Sequence, residues 1–378
     1  MKKVSKRDFK RAFKSLKGLA FLRFGAIAFF LFLLSFFFLL YPQETAKSVS
    51  EGLTLCLSVV VPSLFPFMVV SGIFVSGPLC EKTGKAFKRV ISRLFSLSGA
   101  CFCPVLVSLV GGYPTASFCA RQLYEKGLIT GRDFRRLLLF AVNPSPSFAF
   151  GAVGAMMLGS KESGAAVFFS VIISSFLLGL FSRLVSTEEG EKAEEAPVLS
   201  VNEQFTPFSK SIVSAIGSAG RSMLFICFSV LFFSAVLSVT DRLFPGESAS
   251  LFCGALLEVT CGCRRCCRVL PVEIIAGIVG WGGLCTHFQV MEDVILSKLR
   301  LSVFFSFRLL HGALSAAVCS FLLKLFPQAV PTFLNTETAV SYSCGSSFFL
   351  SFCLVAMCAL LMLGNNFVLS KKRKENSG

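Results

Sequence analysis

The chain has 378 residues, 54% of them hydrophobic, and its mean hydropathy is +0.74. A soluble protein of this size cannot bury that much apolar surface, so the composition excludes a soluble globular fold and predicts an all-α, polytopic membrane protein. The net charge of +16 does not indicate nucleic acid as a partner, because the basic residues cluster beside the ends of apolar runs. The sixteen cysteines are scattered through those runs, which predicts small buried side chains in a reducing compartment.

The N-terminal region combines a basic segment with a strongly apolar one. Residues 1–21 predict a basic, amphipathic arm on the cytoplasmic surface, and residues 22–41 predict a first membrane span. A secretory signal peptide is the alternative for this region. We expect the span to be retained, because the leading arm is long and no small-x-small cleavage pattern follows Tyr41 and Pro42.

The next apolar runs predict a span and a hairpin. Residues 52–76 predict a second span, interrupted at residues 62–66 by two prolines, and the basic loop after it is expected in the cytoplasm. Residues 96–120 have basic segments on both sides, so they should enter and leave the membrane from the same face as a re-entrant helical hairpin. Residues 123–130 predict a helix end, a glycine cap and a new helix start.

An acidic segment divides the chain into two halves. Spans are predicted at about 137–158 and 163–185, which complete a first half over residues 22–185. Residues 186–210 are acidic and without periodicity, which predicts a cytoplasmic linker.

The second half covers residues 211–369, followed by a basic tail at 370–378. Its apolar runs are 211–240, 249–263, 269–291, 301–325 and 346–369. About eight spans and two hairpins place both termini in the cytoplasm, in agreement with their positive charge.

Two helix breaks fall close together in the first half. They are Gly111-Gly112-Tyr113-Pro114 and Asn143-Pro144-Ser145-Pro146, with Thr115 beside the first. Glycine and proline free peptide groups, which survive at membrane depth only inside protein or beside a water-filled cavity. A solute site of a transporter has this character, with Asn143 and Thr115 facing a common cavity. Ordinary proline kinks and glycine packing are the structural alternative.

The second half contains a related segment, Trp281-Gly282-Gly283, followed by His287 and Gln289. Paired interrupted segments in two halves are typical of transporters that are built from repeats. We therefore expect a solute-recognising segment in each half.

Several ionisable residues lie in apolar runs. Glu258 predicts either substrate binding or proton coupling, with a capping carboxylate as the alternative. Arg308 and His311 lie one helical turn apart, on a face that suits an anionic solute; a snorkelling arginine and a hydrogen-bonded histidine are the alternative.

The cluster of Cys261, Cys263, Cys266 and Cys267 lacks the spacing of a zinc site, and its arginines disfavour a metal. It predicts a juxtamembrane turn anchored by Arg264, Arg265 and Arg268, or the tip of a second hairpin where arginines meet an anion. No metal or cofactor is expected.

Motifs of common enzymes are absent from the sequence. It has no G-x-x-x-x-G-K-[ST], no H-E-x-x-H and no G-x-S-x-G, and it contains two histidines in all. We therefore expect a protein that is not an enzyme.

The motifs in both halves resemble the YlbJ-like sporulation integral membrane proteins. In the first half they are VSLVGGYPT at 107–115, RQLYEKGLIT at 121–130, RLLLFAVNPSP at 136–146 and FGAVG at 150–154. In the second half they are GALLEVT at 254–260, GWGGLCTHFQV at 280–290 and RLLHGA at 308–313. The likeness covers roughly residues 50 to 325 and leaves out the Cys-Arg cluster, the basic arm and the phenylalanine-rich first span.

The resemblance implies two nucleoside-recognition Gate segments and a relation to concentrative nucleoside transporters. It also implies a part in spore cortex development and in moving dipicolinic acid across the mother-cell-derived outer forespore membrane. Two functions remain open: a carrier of a small anionic solute, or of a nucleoside, and a membrane scaffold for assembly of the spore envelope. The expected partners are the lipid bilayer and a small-molecule solute, and the sequence leaves homo-oligomerisation open.

Overall fold

The computed structural model describes residues 25, 27–76, 78–184 and 208–326, and in these residues every regular element is a helix. The predicted all-α, polytopic membrane fold is therefore confirmed. The basic arm, most of the linker, the last predicted span and the basic tail lie outside the described residues.

The helices are named here in chain order. The first half contains α1 (Ile27–Leu40), α2 (Pro42–Leu55), α3 (Val61–Ser76), α4 (Pro78–Phe95), α5 (Phe102–Ser108), α6 (Tyr113–Glu125), α7 (Gly131–Phe140) and α8 (Lys161–Phe181). The second half contains α9 (Phe208–Leu243), α10 (Glu247–Leu257), α11 (Val259–Cys266), α12 (Val272–Trp281), α13 (Gly283–Gln289), α14 (Met291–Leu296) and α15 (Leu301–Leu325). A short 3₁₀ turn occupies Gly99–Cys101, and π-helical segments occupy Cys56–Val60 and Ser147–Leu158.

Three of the described helices are long and apolar enough to cross a membrane on their own: Lys161–Phe181, Ser209–Leu243 and Leu301–Leu325. The count rises to five if each of two bent pairs is one span. The first pair joins Ile27–Leu40 to Pro42–Val60 at 97°, and the second joins Leu64–Val75 to Cys80–Phe95 at 89°.

The helix break that the sequence predicts at residues 62–66, within the second span, is absent from the structure. The chain stays helical through residues 62–66, with Pro66 inside α3. The π-helical turn at Cys56–Val60 directly precedes this proline-containing region. A wider turn is one way in which a helix accommodates a proline that cannot donate to the preceding turn. The prolines therefore locally widen a continuous helix rather than end it.

The centre of the described fold is formed by α8, α12 and α15, which pack against one another. Small residues permit the close approach of α12 and α15, since a Cβ added to Gly312 would lie 2.9 Å from the carbonyl oxygen of Gly277. On another side, α9 packs against α2 and α3. Around this centre lie the shorter helices that contain the predicted breaks.

The backbone confirms the predicted glycine cap near residue 127, and it shows a helix–turn–helix where the re-entrant hairpin is predicted. Residues 96–120 form a helix–turn–helix, in which Gly111 and Gly112 lie between α5 and α6. After α6 ends at Glu125, Gly127 adopts the left-handed conformation (φ +69°) and α7 begins at Gly131. Its cap is Thr130, whose hydroxyl oxygen accepts a hydrogen bond from the N–H of Asp133.

Candidate functional site

Four helix breaks converge on one region of the fold. They lie at residues 111–112, at residues 141–146, at Glu258 and at Gly282. Gly112 (φ +84°) lies against Ser145, since an added Cβ would be 3.4 Å from the Ser145 Cβ. Gly282 (φ +84°) lies against Tyr113, whose Cε1 would be 3.3 Å from an added Cβ. Gly283 lies against the break between α10 and α11, since a Cβ added to Gly283 would be 3.2 Å from the Cα of Glu258. The left-handed φ therefore favours glycine at both Gly112 and Gly282.

The first-half break at residues 141–146 leaves carbonyl groups without their helical partners. In a continuous helix, the carbonyls of Phe140 and Val142 would accept from residues 144 and 146, and both of these are prolines. Ser175 on α8 donates its hydroxyl to the Phe140 carbonyl at 2.6 Å. Arg308 on α15 donates from Nη1 to the Val142 carbonyl at 2.8 Å. Side chains from other helices thus satisfy both carbonyls.

The second-half break at Gly282 is satisfied in the same way. Tyr113 donates its hydroxyl to the Val279 carbonyl at 2.7 Å, and Arg308 donates from Nη2 to the Gly280 carbonyl at 3.3 Å. The ring of His287 donates from Nε2 to the Trp281 carbonyl at 2.8 Å. A residue of the first half therefore supports the break of the second half, and Arg308 supports both breaks.

Arg308 is buried (1% exposed), and among the described residues no carboxylate lies within ion-pairing distance of it. Its guanidinium instead contacts carbonyls near the C-terminal ends of α7 and α12, where helix dipoles place partial negative charge. Its Nε has no hydrogen-bond partner among the described residues. A buried cation that contacts carbonyl dipoles and the ring of His311, with no carboxylate beside it in the described residues, is the main electrostatic feature of the site.

His311 is fixed in one tautomer by its neighbours. Nε2 lies 3.0 Å from the carbonyl oxygen of Val171, which can only accept, so Nε2 carries the proton. Nδ1 then has the free lone pair and accepts from Nη2 of Arg308. His311 is therefore neutral in this arrangement, and the predicted Arg308–His311 pair presents one positive charge.

Asn143 is buried at the first-half break with half of its amide unsatisfied. Its Nδ2 donates to Ser175 Oγ at 3.0 Å and to Ser108 Oγ at 3.4 Å. Its Oδ1 has no partner among the described residues, and the same is true of Ser174 Oγ and of His287 Nδ1. Buried polar atoms without partners are rare in folded proteins, so they are candidates for contact with a solute or water.

Other predicted site residues have partners within the protein. Thr115 donates its hydroxyl to the Gly111 carbonyl at 2.5 Å, and no hydrogen bond joins it to Asn143. Ser145 Oγ accepts from the N–H of Phe148 and lies 3.0 Å from Ser147 Oγ. In the second half, Trp281 Nε1 donates to the Leu256 carbonyl at 3.2 Å, and Gln289 Nε2 to the sulfur of Cys285 at 3.5 Å.

Glu258 forms the break between α10 and α11 and caps the latter helix. It is buried (3% exposed) in extended conformation, and its carboxylate oxygens accept from the N–H groups of Thr260 (3.0 Å) and Cys261 (2.6 Å). Both oxygens are therefore engaged at the positive end of α11. Of the roles that the sequence leaves open for Glu258, this geometry matches that of a helix-capping carboxylate.

The Cys-Arg cluster belongs to α11 and the turn after it. Cys263, Cys266 and Cys267 are buried in the main apolar core. Arg265 forms two 2.8 Å contacts with the carboxylate of Asp241 on α9 and also binds Ser250 on α10. The anion that this arginine meets is thus a side chain of the protein itself.

A second polar contact joins the two halves away from the breaks, and sequence reasoning missed it. Arg121 on α6 contacts Glu292 at 2.8 Å and Asp293 at 3.5 Å, both on α14, and Glu125 at 2.8 Å. Hydrogen bonding to Arg121 lowers the pKa of Glu292. Burial raises the pKa of Asp293 to about 6. The acidic pair directly after the predicted 269–291 span was the available signal for this contact.

The fold and this site together define an all-α, polytopic membrane protein with paired, mutually supported helix breaks. The chain is similar to the sporulation integral membrane protein YlbJ of Bacillus subtilis (strain 168), with 22% identity over 334 residues, which cover 79% of this chain and 82% of the relative. The chain thus resembles this sporulation integral membrane protein along most of its length, at a low level of identity. No family model matches the chain, and no solved structure matches it.

Proposed function

We propose that this chain is a membrane carrier that acts during sporulation and moves a small anionic solute. The family resemblance makes dipicolinic acid the first candidate, carried across the outer forespore membrane in support of cortex formation. The relative's description as a sporulation integral membrane protein supports the membrane role in sporulation. The transport activity itself is argued from the site.

The observation that carries the proposal is the position of Arg308. A guanidinium is costly to bury without an anion, and here the described residues offer it two carbonyl oxygens and the neutral ring of His311 but no carboxylate. Carboxylates are stronger partners for arginine than carbonyls, because a carboxylate carries a full negative charge and can accept two parallel N–H bonds from the guanidinium. An anionic solute therefore has a partner at this site that a neutral solute lacks.

The hydrogen bonds of Arg308 to the two broken segments link binding of a solute to a change in the fold. Arg308 holds the Val142 carbonyl of one broken segment and the Gly280 carbonyl of the other. A solute carboxylate that takes over Nη1 or Nη2 releases one of these carbonyls and so loosens the link between the breaks. Exchange of a carbonyl for a carboxylate is thus the step that we propose couples solute binding to movement of the two halves.

The open polar atoms supply the remaining contacts. Asn143 Oδ1 accepts from a bound water, because an ionised dicarboxylate has no donor of its own, and Arg308 Nε donates to a solute oxygen. Neither Arg264 nor Arg265 serves this site in the proposal, since Arg265 is committed to Asp241. Glu258 is committed to the N-terminus of α11, so it does not repel the anion as a free carboxylate.

Binding to the purified protein in detergent tests the proposal. Dipicolinate should raise the thermal unfolding temperature in a concentration-dependent way, and an uncharged nucleoside such as uridine at the same concentration should not. Stabilisation by uridine alone would replace the anion carrier with a nucleoside-type carrier. Stabilisation by neither solute would favour the scaffold function.

A further inference from the structure

Helix α4 lies nearly perpendicular to the apolar helical segment that precedes it in the chain. The chain bends by 89° between Leu64–Val75 and Cys80–Phe95. At the C-terminal end of α4, Arg183 donates from Nη1 to the carbonyls of Arg93 (3.1 Å) and Leu94 (3.2 Å). Arg183 follows directly after α8, which ends at Phe181 and is long and apolar enough to span. α4 therefore ends at the level where α8 leaves the membrane.

The 18 residues of α4 divide into three faces. The first is buried and contains Cys80, Gly84, Ile91 and Phe95. The second is apolar yet exposed, with Phe87, Val90 and Leu94 at 42%, 49% and 46% exposure. The third is basic, because Lys82, Lys85, Arg89 and Arg93 follow one another at helical spacing. At 100° per residue, the basic face is centred opposite the boundary between the buried and the exposed apolar faces.

The basic face contains more cations than α4 contains carboxylates. The one carboxylate in α4 is Glu81, and it pairs with Lys85 at 2.5 Å. Lys88 adds another exposed cation beside this face. An exposed apolar face next to a strongly basic one is the pattern of a helix that lies in a membrane interface, with its cations at the level of lipid phosphates.

We propose that α4 is an in-plane membrane helix that binds anionic phospholipid headgroups through its basic face. Phe87, Val90 and Leu94 enter the acyl boundary, and Arg89 and Arg93 contact the phosphates. The helix also supports the start of the first hairpin: the rings of Phe87 and Phe102 stack at 4.1 Å, and a Cβ added to Gly84 would lie 3.1 Å from the Gly99 carbonyl oxygen. The bound lipid therefore stabilises the hairpin that contains Gly111 and Gly112. This inference does not depend on the transported solute.

The depth of the two faces can be measured with tryptophan. The chain contains one tryptophan, so the parent signal is small and can be subtracted. Val90→Trp and Arg89→Trp place the reporter on adjacent residues with different faces. In lipid nanodiscs that contain lipids brominated on the acyl chain, Val90→Trp should be quenched several-fold more strongly than Arg89→Trp. Equal quenching of the two variants, or stronger quenching of Arg89→Trp, would overturn the orientation.

The preference for anionic lipid is tested in the same nanodiscs. Replacing part of the phosphatidylcholine by phosphatidylglycerol should raise the unfolding temperature of the parent by several degrees. The gain should be lost in Lys85→Gln/Arg89→Gln/Arg93→Gln. It should persist in a control with the same change of charge, Lys161→Gln/Lys298→Gln/Arg300→Gln, at three other exposed positions. A parent that gains nothing from phosphatidylglycerol, or an α4 variant that keeps the gain, would overturn the lipid-binding role.

Discussion

The guanidinium of Arg308 donates a 2.8 Å hydrogen bond to the carbonyl of Val142, which in a continuous helix would accept from the N–H that Pro146 lacks. A side chain of the second half thus replaces a backbone donor that the first half cannot provide. Tyr113 makes the reciprocal contact, from the first half to the Val279 carbonyl of the second. These two contacts make the broken segments one structural unit.

Tyr113→Phe should destabilise the fold by roughly 1–3 kcal/mol, because it leaves the buried Val279 carbonyl without its donor and changes little else. Thermal or denaturant unfolding in detergent measures this loss. Tyr124→Phe is the matched control, since Tyr124 stacks on Phe134 and no hydrogen bond of its hydroxyl is found in the described part of the chain. Equal stability of the two variants would show that the Tyr113 contact does not join the halves.

Arg308→Gln should weaken dipicolinate binding about 10- to 100-fold, the equivalent of roughly 1.5–3 kcal/mol for a hydrogen bond between charged groups. Because the variant also leaves the Val142 and Gly280 carbonyls short of donors, it should be less stable than the parent. Arg308→Lys keeps the charge and should retain more of the affinity than Arg308→Gln. Isothermal titration of both variants separates charge from packing, and undiminished dipicolinate affinity in Arg308→Gln would remove Arg308 from the anion site.

Asn143→Ala should abolish transport while its abundance in the membrane stays unchanged. The variant loses the open Oδ1 and two hydrogen bonds to serine hydroxyls, which a local packing change can absorb. Ser238→Ala is the control, because Ser238 is also buried but bonds within α9 to the Ala235 carbonyl. Quantitative blots of membranes alongside uptake distinguish the roles. If Asn143→Ala simply disappears from the membrane, the residue is structural.

The burial of Asp293 predicts a pH dependence of stability. Because burial raises the folded-state pKa of Asp293 to about 6, above its ordinary value near 3.9, the folded state holds this proton more tightly than the unfolded state. The stabilising contribution is therefore complete below about pH 4 and is lost as pH rises through about 6, at up to roughly 1.4 kcal/mol per pH unit. Asp293→Asn should flatten this part of the pH profile. Identical profiles for the variant and the parent between pH 4 and 7 would exclude the effect.

Much of the architecture is predictable from the sequence, because hydropathy and glycine or proline spacing act locally. The predicted span at 301–325 coincides with α15, and the glycine cap near residue 127 is present. The orphan carbonyls of Phe140 and Val142 also follow from Pro144 and Pro146 alone. Their donors do not, because Ser175 and Arg308 reach them only through tertiary packing.

Helix α4 and the role of Glu258 could not be predicted from the sequence, because both depend on tertiary packing. The residues after α3 predict a basic cytoplasmic loop, but their apolar positions find a core in the 3₁₀ turn and α5, so they form α4. For Glu258 the sequence leaves two roles open, and only the backbone break at this position shows the carboxylate at the N-terminus of α11. Local pattern determines that a helix breaks, whereas packing determines what satisfies the break.

The carrier function is tested most directly by uptake of radiolabelled dipicolinate into vesicles that contain only this protein. The account predicts saturable uptake by the wild type, competition by unlabelled dipicolinate but not by uridine, and a loss of at least about tenfold in initial rate for Arg308→Gln at subsaturating solute. Ser238→Ala should transport like the wild type. Uptake no faster than in protein-free vesicles, from protein that is folded and inserted, would contradict the central claim that this chain is an anion carrier.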